Sequence, residues 1–521
     1  MSSNKRALIS VFHKENIEIA AKKLKRNGWE IISTGGTAKH LQKHDIPVTE
    51  VSEITGFPEI LDGRVKTLHP KIFGPVLAKN SSQHLEQLKQ HSLSKIDLVI
   101  VNFYPFEAAL QKKEQGMDFM IENIDIGGPS MVRAAAKNFR DTIVIVDRED
   151  YLPVVDTLVQ KDDLSPEQKK ELAGKAFSYT SFYDSLIAGY FNEDMEKNPP
   201  YMNFAGRKAQ ELRYGENPHQ KAALYIRDKN SPLYDFEKLA GKELSFNNIL
   251  DLSMVYETLN WFKEDNFCVI VKHQNPCGAA TAASQKKAFE KAFAGDSKSA
   301  FGGIVGFNKT LDGETAEKMK KIFFEVIAAP GFTKEALDCF KKKKNLRIIK
   351  ISLGYWENID VKTVPGGFVC QERDNEIADP AGFALKTSRS LSENEKKDVD
   401  FGWKLIRFVK SNGIIIVKDG MLTGVGAGQM SRVDAVELSI KKGAAPHTHE
   451  GAGKGLSDRI EGAVLLSDAF FPFADSIEIA AQHKIAVVVE PGGSVRDEEV
   501  IAAAGKHNIS LLFTGMRHFR H

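Results

Sequence analysis

A chain of 521 residues is too long for one hydrophobic core, so two to four domains are expected. Its 71 Lys and Arg nearly balance its 69 Asp and Glu, which excludes the electrostatic footprint of a nucleic-acid-binding protein. Four scattered cysteines (268, 277, 339 and 370) indicate neither a disulfide framework nor a metal knuckle. The N-terminal apolar stretch is too short for a signal peptide, and no apolar run nears the ~18 residues of a membrane span, so a soluble, cytoplasmic globular protein is expected.

The first predicted elements alternate. A strand over Ala7 to Phe12 precedes a helix from about Glu15 to Asn27, with Ile17, Ala20, Ala21 and Leu24 at helical spacing and Gly28 as its C-terminal stop. A second strand, Trp29 to Ser33, runs into Thr34-Gly-Gly-Thr37 and a helix through His44, and further strands are expected at Leu98 to Asn102 and Thr142 to Asp147. Strands alternating with helices predict a doubly wound parallel α/β sheet. A polar helical stretch to about Phe191 precedes Asn198-Pro-Pro200, the best linker in the chain, which sets domains of 1–198 and 199–521. The second domain carries one plan twice, with a split near 365–400. The first pass comprises the strand ending Val271-Lys-His273, the loop Ser299-Ala-Phe-Gly-Gly303 and Ile327-Ala-Ala-Pro-Gly331. The second comprises Ile414-Ile-Ile-Val-Lys-Asp-Gly420, Ser467-Asp-Ala-Phe-Phe-Pro-Phe473 and Val488-Val-Glu-Pro-Gly-Gly493.

Several stretches carry chemistry. In Thr34-Gly-Gly-Thr37, glycines admit a phosphate close to backbone and a helix N-terminus offers N–H donors. In Arg64-Val-Lys-Thr-Leu-His-Pro70, extended backbone would put Arg64 and Lys66 on one face. Gly127-Gly-Pro129 marks a helix start that leaves Asp125 just outside and Lys137 about two turns in. Arg213-Tyr-Gly-Glu-Asn-Pro-His-Gln220 packs ionic, aromatic and amide groups into a loop that Pro218 keeps from being helical. Phe267-Cys-Val-Ile-Val271 reads as a buried strand stopped by an Asn-Pro and Gly turn signal, with Lys272 and His273 at its end. A cation and a proton acceptor there can stabilise developing negative charge and remove a proton in one step. The second pass has Lys418-Asp419 at the matching place, so only the first sets a neutral-pH base beside its lysine.

Two readings fail. Gly424-Val-Gly-Ala-Gly428 brings its third glycine one residue early for a dinucleotide fingerprint. Pro276-Cys277 lacks the second cysteine and the preceding H-x-E of a zinc deaminase, so no metal is expected.

Taken together and in this order, these stretches resemble the bifunctional AICAR formyltransferase/IMP cyclohydrolase family of purine biosynthesis. The resemblance runs from Leu8-Ile-Ser-Val to Thr514-Gly-Met-Arg-His-Phe-Arg-His521. It implies a methylglyoxal-synthase-like N-terminal domain that converts formyl-AICAR to IMP with loss of water. There Ser10, Lys14, Thr34, Gly35, Gly36, Thr37, Arg64, Thr67 and Asn102 would hold the substrate, and Lys66, Tyr104, Asp125 and Lys137 would surround the reacting groups. It implies a C-terminal domain of two cytidine-deaminase-like subdomains that moves a formyl group from 10-formyltetrahydrofolate, a co-substrate, to AICAR. Lys272, His273 and Asn412 would do that chemistry. Arg213, Tyr214, Gly302, Glu325, Phe470 and Arg517 would hold AICAR, with Arg432, Asp475, Gly493 and Ser494 facing the folate. A homodimer with formyltransferase sites across its interface is also implied. The chain departs from the family pattern at Phe12, where a serine is common, and at Phe73-Gly-Pro75, where His-Gly-Gly is common. The alternative is an N-terminal regulatory module that only binds a ligand.

Overall fold

The computed structural model describes residues 5–58, 60–61, 65–192, 199–228, 231, 236–445 and 459–521. They form two compact units whose boundary in sequence falls between Arg207 and Lys208, beyond the expected 198/199; Asn198 of the expected linker lies outside the described residues.

The first unit is built on five parallel strands, β1 (Arg6–Ser10), β2 (Glu30–Ser33), β3 (Thr49–Glu50), β4 (Leu98–Val101) and β5 (Ile143–Ile145), in the order β3-β2-β1-β4-β5. The middle strands β1 and β4 are covered on both faces, which is why they read as unbroken apolar runs rather than alternating ones. The helix Ile17–Arg26 buries the four apolar residues expected of it, and Gly28 follows at φ +82°. The chain steps from β1 through β2 to β3 and then crosses to β4 on the other side of β1. The gap beyond the carboxyl ends of β1 and β4 is therefore a topological switch point, where open α/β sheets bind ligands.

In the second unit a hairpin of β6 (Arg207–Leu212) and β7 (Ala222–Ile226) comes first. The first half of its main sheet contains β8 (Glu237–Ala240), β9 (Asn266–Lys272), β10 (Asn275–Ala282), β11 (Ile304–Phe307), β12 (Val326–Ala329) and β13 (Arg347–Lys350). A separate hairpin, β14 (Ile359–Val364) and β15 (Gly367–Glu372), leads into the other half. That half contains β16 (Ala384–Leu385), β17 (Ile414–Lys418), β18 (Met421–Gly426), β19 (Val464–Ser467), β20 (Val487–Glu490) and β21 (Ser510–Phe513). The sheet order is β16-β21-β20-β19-β17-β18-β10-β9-β11-β12-β13-β8. Read outward from the β18–β10 junction, both halves repeat one topology. A hairpin is followed by an antiparallel neighbour, two parallel strands and an antiparallel edge strand. The helix Phe246–Trp261, through Leu252, Val255 and Leu259, shares one core with Val269 and Val271 of β9; the helix Glu393–Ile406, through Val399, Trp403 and Ile406, joins the same core beside Val417 and Leu466.

Two sequence expectations change here. Asn275-Pro276 is not the turn that stops β9. The turn is His273-Gln274, both at positive φ, and Asn275-Pro276 opens the antiparallel partner β10, with the register irregular between Pro276 and Gly278. Proline is tolerated within a sheet at such an irregularity, so the dipeptide misled as a turn signal. The loops also pair differently. Ser299–Gly303 precedes β11, whereas Ser467–Phe473 starts at the end of β19, the counterpart of β11, so these loops are not equivalent. The Pro-Gly steps are: Pro330-Gly331 follows β12 and Pro491-Gly492 follows its counterpart β20.

Candidate active sites

A cavity of about 760 Å³ opens at the switch point of the first unit. Ser10 ends β1, Thr34 follows β2 and Asn102 follows β4, so three strand ends converge on it, joined by Lys14, Gly35, Gly36, Thr37, Lys66, Thr67, Tyr104 and Asp125. Thr34 precedes the helix Gly35–Lys43 without spending its hydroxyl on a capping bond. Gly35 stands at φ +54°, and a Cβ there would lie 3.1 Å from Lys66 Nζ, so the glycine admits both the turn and the ammonium. Arg64 lies outside the described residues.

Two of these residues serve the backbone. Thr37 Oγ1 accepts from Val11 N at 3.0 Å and donates to Val11 O at 2.9 Å. Asn102 Oδ1 accepts from Phe12 N and His13 N at 2.6 and 3.0 Å, while its amide donates to Tyr151 Oη at 2.7 Å. Both side chains thus shape the loop after β1 and line the cavity without offering it their main hydrogen bonds.

On the facing wall Asp125 Oδ1 accepts from Gly128 N at 2.8 Å, and its own N–H donates to Tyr183 Oη at 2.7 Å. Burial pushes the Asp125 carboxyl above the ordinary range, only partly offset by backbone donors from Gly128, Tyr104 and Gly127. Phe12, at one of the departures, sits edge-on to Tyr104 with ring centroids 5.9 Å apart. Lys137 does not join them. It is exposed in the last turn of the helix Gly127–Lys137, roughly 15 Å along the axis from the end that meets the cavity. Lys137, expected about two turns into the helix and near the reacting groups, stands nearly three turns in, because the helix starts at Gly127, and does not line the cavity.

In the second unit one helix gathers a candidate site. From Phe246–Trp261, Asn247 Nδ2 donates to Glu216 O at 3.5 Å, reaching the loop that carries Arg213 and Tyr214. Asn248 Nδ2 donates to Glu325 Oε2 at 3.4 Å, and Asp251 accepts from the backbone of His273 and Gln274 at 3.3 and 2.6 Å. Lys272 Nζ donates to Phe301 O at 2.6 Å, and a Cβ on Gly302, at φ +69°, would lie 3.2 Å from that Nζ. Glu325 is held by Arg347 Nη1 at 2.8 Å, and the His273 side chain is exposed. Arg213 lies over the Tyr214 ring at 5.4 Å.

Asn275 links this group to Asn412. Its Nδ2 donates to His273 O at 3.2 Å and its Oδ1 accepts from Lys410 N at 3.0 Å. Asn412 is held in turn: its amide donates to Gln429 O and Met430 O, and its oxygen accepts from Arg432 Nη2 at 2.7 Å. Arg432, expected to face the folate, is buried instead, with Nη1 donating to Asp468 at 2.6 Å and Ser467 at 2.8 Å. Its guanidinium is held among Asn412, Ser467 and Asp468. The C-terminal tail joins through His518 N, which donates to Asp468 O at 3.0 Å beside Arg517. Gly493 N and Ser494 N both donate to Asp497 at 2.8 Å, Phe470 is exposed, and Asp475 opens the helix Asp475–Gln482.

Sequence reasoning missed Asp251, Asn275, Asn248 and Tyr183, which act on partners tens of residues away, and it missed Glu490. Glu490 is fully buried at the end of β20; it accepts from Phe471 N and so ties down the Phe470–Phe473 loop. Burial pushes its carboxyl up to about 8. With the folded value above the ordinary 4.5, this group's contribution to stability is fully present below pH 4.5 and is lost as pH rises towards 8. Glu490→Gln should therefore flatten the fall in Tm between pH 5 and pH 8; an unchanged slope would show that Glu490 does not set it.

These features define an α/β enzyme with two chemically distinct candidate sites, a switch-point cavity that holds a raised carboxyl and a strand-end Lys-His pair. A family model described as MGS-like domain matches residues 16–130, and one described as AICARFT/IMPCHase bienzyme matches residues 135–442. The chain is 46% identical over 523 residues to the bifunctional purine biosynthesis protein PurH of Thermoanaerobacter sp., covering 99% of this chain and 100% of that protein. It is 46% identical over 527 residues to the protein of the same name from Persephonella marina, with the same coverage of each. The chain belongs to the AICARFT/IMPCHase bienzyme family.

Proposed function

We propose that the unit ending at Arg207 closes the purine ring of formyl-AICAR and that the unit beginning at Lys208 formylates AICAR. Two deaminase-like subdomains, the two halves of the long sheet, would frame the second site. In formyl transfer the AICAR amine attacks the formyl carbon of 10-formyltetrahydrofolate. His273 accepts the amine proton, Lys272 stabilises the tetrahedral oxyanion, and the bond to the folate nitrogen breaks as that nitrogen takes a proton. Arg213, Tyr214, Gly302, Glu325, Phe470 and Arg517 would hold AICAR, with Asp475 and the Gly493-Ser494 turn towards the folate. Arg432 would act through Asn412.

In ring closure the carboxamide nitrogen attacks the formyl carbon of the same molecule, so positioning does much of the work. Ser10, Lys14, Thr34, Gly35, Gly36 and Thr67 would hold the phosphate end. Lys66 would polarise the formyl oxygen. Asp125, whose raised carboxyl makes it the stronger base, would take the carboxamide proton and return one to the departing water. A role limited to ligand sensing is not favoured, since Lys66, Tyr104 and Asp125 supply more chemistry in one cavity than phosphate capture needs. The working enzyme is read as a cytoplasmic homodimer; among the described residues no helix is long and apolar enough to cross a membrane.

The observation that carries the formyl-transfer reading is Lys272 set against Phe301 O and Gly302 at the turn that exposes His273. Incubating the chain with AICAR and 10-formyltetrahydrofolate should yield IMP. Formyl-AICAR accumulating without IMP would remove the cyclohydrolase reading.

A further inference from the structure

The turn that carries His273 is built against the preference of its own residues. His273 and Gln274 stand at φ 54° and 58°, a left-handed pair that two-residue hairpins take most readily with Asn-Gly or Asp-Gly. The counterpart turn in the second half of the sheet obeys that preference, with Asp419 and Gly420 at φ 53° and 66°. Both turns are gripped in the same way by a carboxylate from the preceding helix. Asp251 Oδ2 and Oδ1 accept from His273 N and Gln274 N; Asp398 Oδ2 and Oδ1 accept from Asp419 N and Gly420 N at 2.8 and 2.6 Å. The clamp is thus a duplicated device. In one copy it closes a turn whose residues would close it anyway; in the other it holds a bulky pair in a strained conformation next to Lys272.

We propose that Asp251 is a positioning residue for formyl transfer. Its carboxylate fixes the left-handed backbone of His273 and Gln274, so that the imidazole and the Lys272 ammonium face the same reacting atoms. The inference rests on the reading of His273 as the base. Asp251 sits on the helix that also holds Glu325 through Asn248, so the clamp ties the base to the substrate-holding wall. No comparable task falls to Asp398, because its turn presents Asp419 and Gly420.

The two clamps provide their own control. Asp251→Ala should lower kcat for formyl transfer on the order of 10²-fold, the usual effect of a slightly misplaced catalytic group, with KM for AICAR within about twofold. Asp398→Ala, which removes the same clamp from a turn that closes readily without it, should leave formyl transfer intact. Adding Gln274→Gly to Asp251→Ala should restore much of kcat, because glycine takes positive φ without help. If Asp251→Ala fails to fold, Asp251→Asn, which keeps one acceptor oxygen, should show a smaller loss of kcat in the same direction. Equal losses of formyl transfer in the Asp251→Ala and Asp398→Ala proteins would overturn the inference. Full kcat in Asp251→Ala, with His273→Ala inactive, would overturn it alone. Full activity in His273→Ala would take down the reading of the base and this inference together.

Discussion

Replacing His273 with alanine is expected to slow formyl transfer by about 10²–10⁴-fold, the usual contribution of a positioned general base. The AICAR amine is a weak nucleophile because its lone pair is delocalised into the ring and carboxamide, so attack depends on removing a proton as the new bond forms. His273 is exposed at the end of β9, and its carbonyl is tied by Asn275 to the Lys410 segment that leads to Asn412. Loss of the imidazole leaves that backbone frame intact, so the protein should fold and bind AICAR. Cyclisation of added formyl-AICAR should continue at the original rate, because every residue assigned to ring closure lies in the other unit. Initial rates of the two half-reactions, measured separately, check this; equal loss of both in a folded protein would remove the two-site account.

Replacing Lys66 with alanine should produce the converse, a fall in cyclisation of about 10²–10³-fold with formyl transfer unchanged. The ammonium lines the cavity against Gly35, close to the helix start that would receive the phosphate. It is therefore placed to meet charge that develops on the formyl oxygen as the ring closes. Because ring closure is intramolecular, binding alone should leave a measurable residual rate. The diagnostic is a drop in kcat larger than any rise in KM for formyl-AICAR; a change confined to KM would make Lys66 a binding residue only.

Much of the first unit could be read from its residues because its chemistry is local. Ser10, Thr34 and Asn102 end or follow strands that are neighbours in the sheet, β1, β2 and β4, and a parallel sheet brings such ends together. The same logic failed where the deciding contact is remote. Thr37 and Asn102 line the cavity as expected, but nothing in the sequence shows that their side chains also bond Val11, Phe12 and His13. Lys137 follows Asp125 closely in sequence, yet helical rise carries it away from the cavity. The family resemblance turned Arg432 towards the folate, and nothing nearby in sequence shows Asp468, the partner beside which it is buried. Asp251 was silent for the same reason: a carboxylate gripping backbone some twenty residues on leaves no periodic trace. The repeated plan was visible as two β-branched runs ending in Lys, but only the strand order aligned the halves correctly.

The separation of the two activities can be tested in one tube. The His273→Ala and Lys66→Ala proteins, each unable to convert AICAR to IMP at an appreciable rate, are mixed in equal amounts with AICAR and 10-formyltetrahydrofolate, and IMP is followed with time. If formyl transfer and ring closure occupy different sites, the Lys66→Ala protein supplies formyl-AICAR, the His273→Ala protein closes it, and IMP appears after a lag. If the mixture makes no more IMP than the two proteins do alone, the activities are not divided between these sites.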